Sequence, residues 1–250
     1  MAVTSGKGGV GKTFLAANLA MALAARGERV LVLDADLGLA NLDVVLNLTP
    51  KVTLHDVFTG KSTLDDAVLQ APGGFSVLLA GSGLVEYSRL TAEVRQQLVD
   101  VIRTLAPRYD RILLDTGAGI SDVVLYALSL ADDVLVVVTP EPTSMTDAYA
   151  TIKVLALQEQ QRRDVRVVVN QTSVAGEGKA VRGQLQRVVD RFVTPQLATG
   201  SAPVRLDLVG EVPTDPTVRE SVKKRRLLLE LAPGSAAARA LHLIAQRLLG

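Results

Sequence analysis

The stretch Gly6-Lys7-Gly8-Gly9-Val10-Gly11-Lys12-Thr13 decides how this chain is read. It sets Gly6, Gly11, Lys12 and Thr13 at the spacing of a phosphate-binding loop. The flanks agree: Ala2–Ser5 reads as a short strand before it, and Lys12–Arg26 as a helix after it. Glycines let the main chain wrap closely and aim its N–H groups at phosphate oxygens, and the positive end of the following helix adds to that pull. Gly8, Gly9, Val10, Gly11, Lys12, Thr13 and Phe14 are therefore expected to cradle a nucleotide. The Lys12 ammonium would neutralise its β- and γ-phosphates, and the Thr13 hydroxyl would ligate Mg²⁺. A plain glycine turn between strand and helix would explain the shape of the stretch but not the Lys-Thr pair.

Outward from the loop, strand-like runs alternate with helical patterns. The strands are expected at Ala2–Ser5, Arg29–Asp34, Phe75–Ala80, Arg111–Asp115, Asp133–Thr139, Val165–Asn170 and Leu206–Val212. The helices are expected at Lys12–Arg26, Thr91–Leu105, Ser121–Ala131, Thr143–Gln161, Lys179–Phe192, Thr217–Glu230 and Ser235–Leu249. Runs such as Val134–Val138 are apolar throughout, as in strands buried on both faces. The pattern implies an α/β fold with a doubly wound, mostly parallel sheet and helices on both faces, forming a single domain over residues 1–250. Thr49–Gly74 is less regular and is expected as a loop with short helices, and Ala198–Pro203 as a polar loop inside the domain. Ligands of such sheets sit beyond the carboxyl ends of strands. That rule selects Gly6–Thr13, Asp34–Asp43, Asp115–Gly119, Asn170–Gln171 and Pro213–Asp215.

Composition excludes other chemistries. There is no cysteine, so disulfides and thiolate metal sites are absent, and the two histidines, His55 and His242, stand far apart in the chain. Net charge is +1 and aromatics are 3%, which argues against strongly electrostatic nucleic-acid binding and against base-stacking platforms. No apolar run approaches the roughly 18 residues that span a bilayer. Met1 leads directly into the first strand, so the expectation is a soluble, cytoplasmic protein.

Two groups of carboxylates follow strands. Asp34-Ala35-Asp36 ends the second strand, where carboxylates can orient water or Mg²⁺ beside a phosphate-binding loop. Arg111-Ile112-Leu113-Leu114-Asp115 is a hydrophobic strand ending in an acid, and Asp115 is expected to hold Mg²⁺ through water. An Asp at a strand end is also an ordinary cap, a reading that stays open for Asp34 in particular.

Lys7 is a second lysine inside the loop, and it makes the stretch resemble the deviant Walker A ATPases of the MinD/ParA type, a SIMIBI-type branch of the P-loop NTPases. The resemblance covers nearly the whole chain. It implies ATP and Mg²⁺ as cofactors and a homodimer when ATP is bound, with Lys7 reaching the nucleotide of the partner subunit. It implies that Asp36 positions or activates the attacking water and contributes to the metal site, and that Thr116-Gly117-Ala118-Gly119 senses the γ-phosphate. Asn170 would hydrogen-bond the purine base, with Pro213 and Asp215 in the loop closing over it. An Asn at a strand end is equally a turn residue.

Within that family, Asp36-Leu37-Gly38-Leu39-Ala40-Asn41-Leu42-Asp43 is similar to the MinD side. Ala71–Gly74 through Gly81-Ser82-Gly83, and Glu141-Pro142-Thr143-Ser144-Met145-Thr146-Asp147-Ala148-Tyr149, resemble the flagellar-number regulators of the FlhG/FleN type. The second stretch also reads locally as a strand-to-helix turn with Thr143 as a cap. The resemblance implies a slow, partner-regulated ATPase that controls flagellar number or placement. Expected partners are an FlhF-type flagellar GTPase, flagellar switch components or a flagellar transcription regulator. Such regulators often carry an N-terminal extension for that GTPase, and here Met1 stands directly before the first strand. They also often end in a membrane-targeting helix. Here Ala237, Leu241, Ile244 and Leu248 form an apolar stripe with only Arg239 and Arg247 as cations, so packing against the domain is favoured over peripheral membrane binding.

Two rivals remain. A ParA-like partition ATPase would use the basic cluster Arg219, Lys223, Lys224, Arg225 and Arg226, which otherwise reads as a solvated helix face, and would show ATP-dependent, salt-sensitive DNA binding. A metabolic P-loop enzyme would need an acceptor pocket, and no residues suggest one.

Overall fold

A computed structural model describes residues 1–37, 41–81, 90–157 and 164–249. In chain order its elements are β1 (Ala2–Ser5), α1 (Lys12–Ala24), β2 (Val30–Ala35), α2 (Leu42–Leu46), α3 (Leu54–Phe58), α4 (Leu64–Ala67), β3 (Val68–Gln70), β4 (Ser76–Leu78), α5 (Ala92–Leu105) and β5 (Arg111–Ala118). There follow α6 (Asp122–Ser129), β6 (Val134–Val138), α7 (Pro142–Leu157), β7 (Asp164–Thr172), α8 (Glu177–Phe192), β8 (Arg205–Pro213), α9 (Pro216–Lys223), α10 (Leu228–Leu231) and α11 (Ala236–Leu249). The strands form an eight-stranded sheet in the order β3-β4-β2-β5-β1-β6-β7-β8. All neighbours run parallel except β3, which pairs antiparallel with β4 at the edge.

Alternation along each strand explains the unbroken apolar runs. Ala2, Leu31, Leu33, Val134, Val136 and Val138 face one core, which α5, α6, α7 and α8 cover. Val3, Val30, Val32, Leu135 and Val137 face the other, which α1, α10 and α11 cover. A strand with helices on both sides has no polar face to offer. The doubly wound α/β architecture expected from the sequence is the one observed.

Several expectations change in detail. The segment expected to be irregular after residue 48 contains the short helices α3 and α4, and also the edge strand β3. The single helix expected over Thr217–Glu230 is two: α9 stops at Lys223, Arg225 takes φ 49°, and the chain turns inward. The turn buries Leu227, Leu228 and Leu229, and the Leu229 N–H donates to the buried Asn18 side chain at 3.3 Å. Helix propensity yields there to burial of three leucines. The expected end of α7, from residue 158 to Gln161, lies outside the described residues, as do Gly38-Leu39-Ala40 and Ser82-Gly83. The C-terminal stripe packs inward: Ala237, Leu241, Ile244 and Leu248 are buried in the core shared with α1. Among the described residues no helix is long and apolar enough to cross a membrane.

Candidate functional site

Three neighbouring strands, β2, β5 and β1, deliver their carboxyl ends to one place. From β1 the chain enters the glycine loop, where Ser5 Oγ donates to the Lys7 carbonyl at 2.7 Å. Gly9 and Gly11 take φ 80° and 96°, values L side chains rarely adopt, and Gly11 forms the N-terminal boundary of α1. Gly6 is held by close approach instead: a Cβ there would lie 2.2 Å from the main chain of Asp147 in α7. The loop is therefore pressed backbone to backbone against the first turns of α7.

Beside it opens a cleft of roughly 940 Å³. Gly8, Gly9, Gly11, Lys12, Thr13 and Phe14 line it from the loop, Asp36 from the end of β2, and Thr116, Gly117 and Ala118 from the end of β5. A Cβ on Gly117 would come within 3.4 Å of the Asp36 carboxylate, so the two loop ends touch.

The electrostatics are strained. Asp34 and Asp115 are register partners on β2 and β5, and both are buried. Burial pushes the Asp34 carboxyl well above the usual carboxylate range, and its neighbour Asp115 pushes the same way. Burial pushes Asp115 up to about 6, against the downward pull of the Thr13 hydroxyl and the Lys12 ammonium. Burial lowers the Lys12 ammonium, while Asp115 and Asp36 oppose that shift. Asp34 Oδ1 accepts the Asp36 N–H at 3.1 Å, but Asp34 Oδ2 and Asp115 Oδ1 are buried without a hydrogen-bond partner among the described residues.

An orphaned carboxylate oxygen beside a Thr hydroxyl is a donor set for a hard cation. Thr13, Asp36 and Asp115 fit Mg²⁺ that arrives with nucleotide phosphates. Among the described residues no group of three or more His, Cys, Asp or Glu could hold a metal on its own. Such an ion would supply charge neutralisation between phosphate oxygens.

Lys7 points elsewhere. Its Nζ donates to Glu141 Oε2 at 2.8 Å and Thr143 Oγ1 at 3.0 Å, across the start of α7. Thr143 thus lies in the first turn of α7 as an acceptor for Lys7, and the hydroxyl facing back to the strand is that of Ser144, which accepts the Thr139 N–H at 3.0 Å. Asn170, Pro213 and Asp215 are not among the cleft residues. Asn170 Nδ2 donates to the Val10 carbonyl at 2.8 Å, so its side chain braces the loop from behind. Asp215 accepts from Thr217 N at 3.0 Å and from Ala237 N at 3.1 Å, and so caps α9 while holding the first turn of α11. Sequence reasoning did not single out Glu141 as the partner of Lys7, nor Asp122 as a cleft residue, whereas Asn41 lies in the Asp34–Asp43 stretch that the strand-end rule selects. The first lies 134 residues from Lys7, and no local pattern signals it.

Comparisons with known proteins agree with this geometry. A family model described as "ParA: NUBPL iron-transfer P-loop NTPase" matches residues 1–249. The antiactivator FleN of Pseudomonas aeruginosa is 43% identical over 247 residues, covering 99% of this chain and 85% of that protein. The flagellum site-determining protein YlxH of Helicobacter pylori is 32% identical over 247 residues, 98% of this chain and 80% of that protein. The septum site-determining protein MinD of Pyrococcus horikoshii, complexed with Mg-ADP, superposes with a TM-score of 0.76 at 26% identity, covering 99% of this chain and 94% of that one. The chain belongs to the ParA/MinD family of P-loop NTPases.

Proposed function

We propose that the chain is an ATP-dependent dimerisation switch that hydrolyses ATP slowly and regulates flagellar number or placement. The observation that carries the reading is Lys7. It sits in the phosphate loop but is paired with Glu141 on the surface, with side chains 38% and 59% exposed. An exposed pair of this kind is worth about 1 kcal/mol or less, so a phosphate of a second subunit can recruit the lysine at small cost. A cation delivered in this way acts on the charge that develops in the transition state, an effect worth about 10³–10⁵ in rate where arginine does it.

In this reading Gly8 to Phe14 and Lys12 hold the triphosphate, and the base extends out of the cleft toward Asn170, Pro213 and Asp215, which lie outside it. Thr13, Asp36 and Asp115 would hold Mg²⁺, partly through water. Asp36 orients the water whose oxygen attacks the γ-phosphorus. The bond to the bridging oxygen breaks, giving ADP and phosphate. The loops after β2 and β5 meet at Asp36 and Gly117, so loss of the γ-phosphate loosens both together. The flagellar assignment follows the relatives' names, and the second copy of the chain is the first partner. An FlhF-type GTPase, a flagellar switch component or a flagellar transcription regulator would read the dimer. The proposed working location is the cytoplasm; peripheral attachment at the inner face of the membrane would need a surface other than the C-terminal apolar stripe, which is buried.

The test is light scattering with ATP and Mg²⁺. Asp36→Ala is expected to bind ATP and persist as a dimer, and Lys12→Ala to bind none. An Asp36→Ala protein that stays monomeric at high concentration with bound ATP would sink the switch.

A further inference from the structure

We propose that the groove between α7 and α8 is a docking site for an acidic amphipathic helix of a partner protein. The groove has a volume of roughly 770 Å³. Met145 and Tyr149, one turn apart on α7, form its floor together with the buried Leu185 of α8. Val188 and Phe192, also one turn apart, stand along its edge and are 36% and 49% exposed. A single exposed apolar side chain carries no information, but two in one helical row over an apolar floor make a patch that water wets at a cost.

The inward face of α8 is already supplied by Val181, Leu185 and Val189, so Val188 and Phe192 are surplus to the core. Beside their row runs a second row, Arg187 and Arg191, again one turn apart. Both arginines are exposed, and neither lies within ion-pair distance of a described carboxylate. Arg191 instead sits 5.2 Å from the ring centroid of Phe192. The groove thus offers an apolar stripe next to a cationic stripe with the repeat of a helix. The complementary ligand has apolar residues at helical spacing flanked by carboxylates four residues apart.

This site is separate from the nucleotide cleft in its lining residues. It shares α7 with that cleft's edge, since Glu141 and Thr143 hold Lys7 at the helix start and Met145 and Tyr149 floor the groove.

The experiment selects displayed helix-forming peptides on the full chain and counter-selects on Phe192→Asp, a substitution at a half-exposed position that leaves the core alone. The expected winners are amphipathic and acidic. Their affinity, read by fluorescence anisotropy, falls about tenfold or more in Arg187→Glu/Arg191→Glu. Lysine-for-glutamate versions of the same peptides regain affinity for that double variant. Selected peptides that are not acidic, or that bind all variants equally, overturn the proposal, as does a failure to enrich any. Two other occupants are also excluded or found. Concentration-dependent self-association lost in Phe192→Asp would assign the groove to a second copy. Sedimentation with phosphatidylglycerol vesicles lost in the same variant would assign it to a lipid surface. Either result overturns it.

Discussion

Burial, with one oxygen unpartnered among the described residues, pushes the Asp115 carboxyl up to about 6. The folded value lies above the unfolded one, so the folded chain binds more protons between about pH 4 and pH 6. The associated stability is complete below about pH 4 and is lost as pH rises through about 6, leaving a cost of about 3 kcal/mol near neutrality. In the proposed function, that cost is what a cation held there would relieve. Asp115→Asn removes the charge but keeps the shape. In urea denaturation of nucleotide-free protein near neutral pH, the variant should be more stable than wild type by about 1–3 kcal/mol, with a flatter profile between pH 4 and 6. It should also lose Mg²⁺-dependent ATPase activity. A variant less stable than wild type near pH 7 would show that the buried charge is already compensated.

Elements meet at Asp215, the last polar residue before α9. Its two oxygens serve two helices, one through Thr217 and one through Ala237, and the Thr217 hydroxyl is the largest influence holding the carboxyl below its usual range. A depressed value means the contribution is present above the unfolded pKa of about 3.9 and fades as pH falls through the lower folded value. Asp215→Ala should cost about 1–2 kcal/mol by urea midpoint, and Asp215→Asn less, because an amide oxygen still caps one helix. Equal losses in both would place the contribution in charge alone. Asp215 also shows where sequence reading stops. The phosphate loop, β2 and β5 were legible because glycine spacing and continuous apolar runs are local signals. The double cap depends on a contact 22 residues away, and the Lys7–Glu141 pair on one 134 away. The edge strand β3 has three residues, too few for a period to show. The break after Lys223 was hidden because Arg225 and Arg226 favour helix, while the burial that overrides them is supplied by α1, distant in the chain.

Across the whole molecule, the site hangs on the middle of the sheet: β1 lies between β5 and β6 with cores on both faces, so the platform under the cleft is buried from both sides. In the proposed switch, the parts that respond to ligand are the loops above it, at Asp36 and Gly117. Ligand binding should therefore act on global stability through linkage rather than by reshaping the sheet. At about a hundredfold excess over Kd, one bound ligand adds about 2.7 kcal/mol, which for a chain of this size raises Tm by about 5–11 °C. Mg²⁺ and ATP together should produce that rise, because the cation also relieves the Asp115 charge. ATP with a chelator should give a smaller one, and Lys12→Ala none. The same logic makes the pH profile diagnostic: with Mg²⁺ and ATP bound, the loss of stability between pH 4 and 6 should shrink, since the carboxylate then has its partner. Differential scanning calorimetry with and without nucleotide across that range measures both effects. If Tm rises equally with and without Mg²⁺, Asp34 and Asp115 are strained for some other reason, and the cation is not held where Thr13 and Asp115 meet.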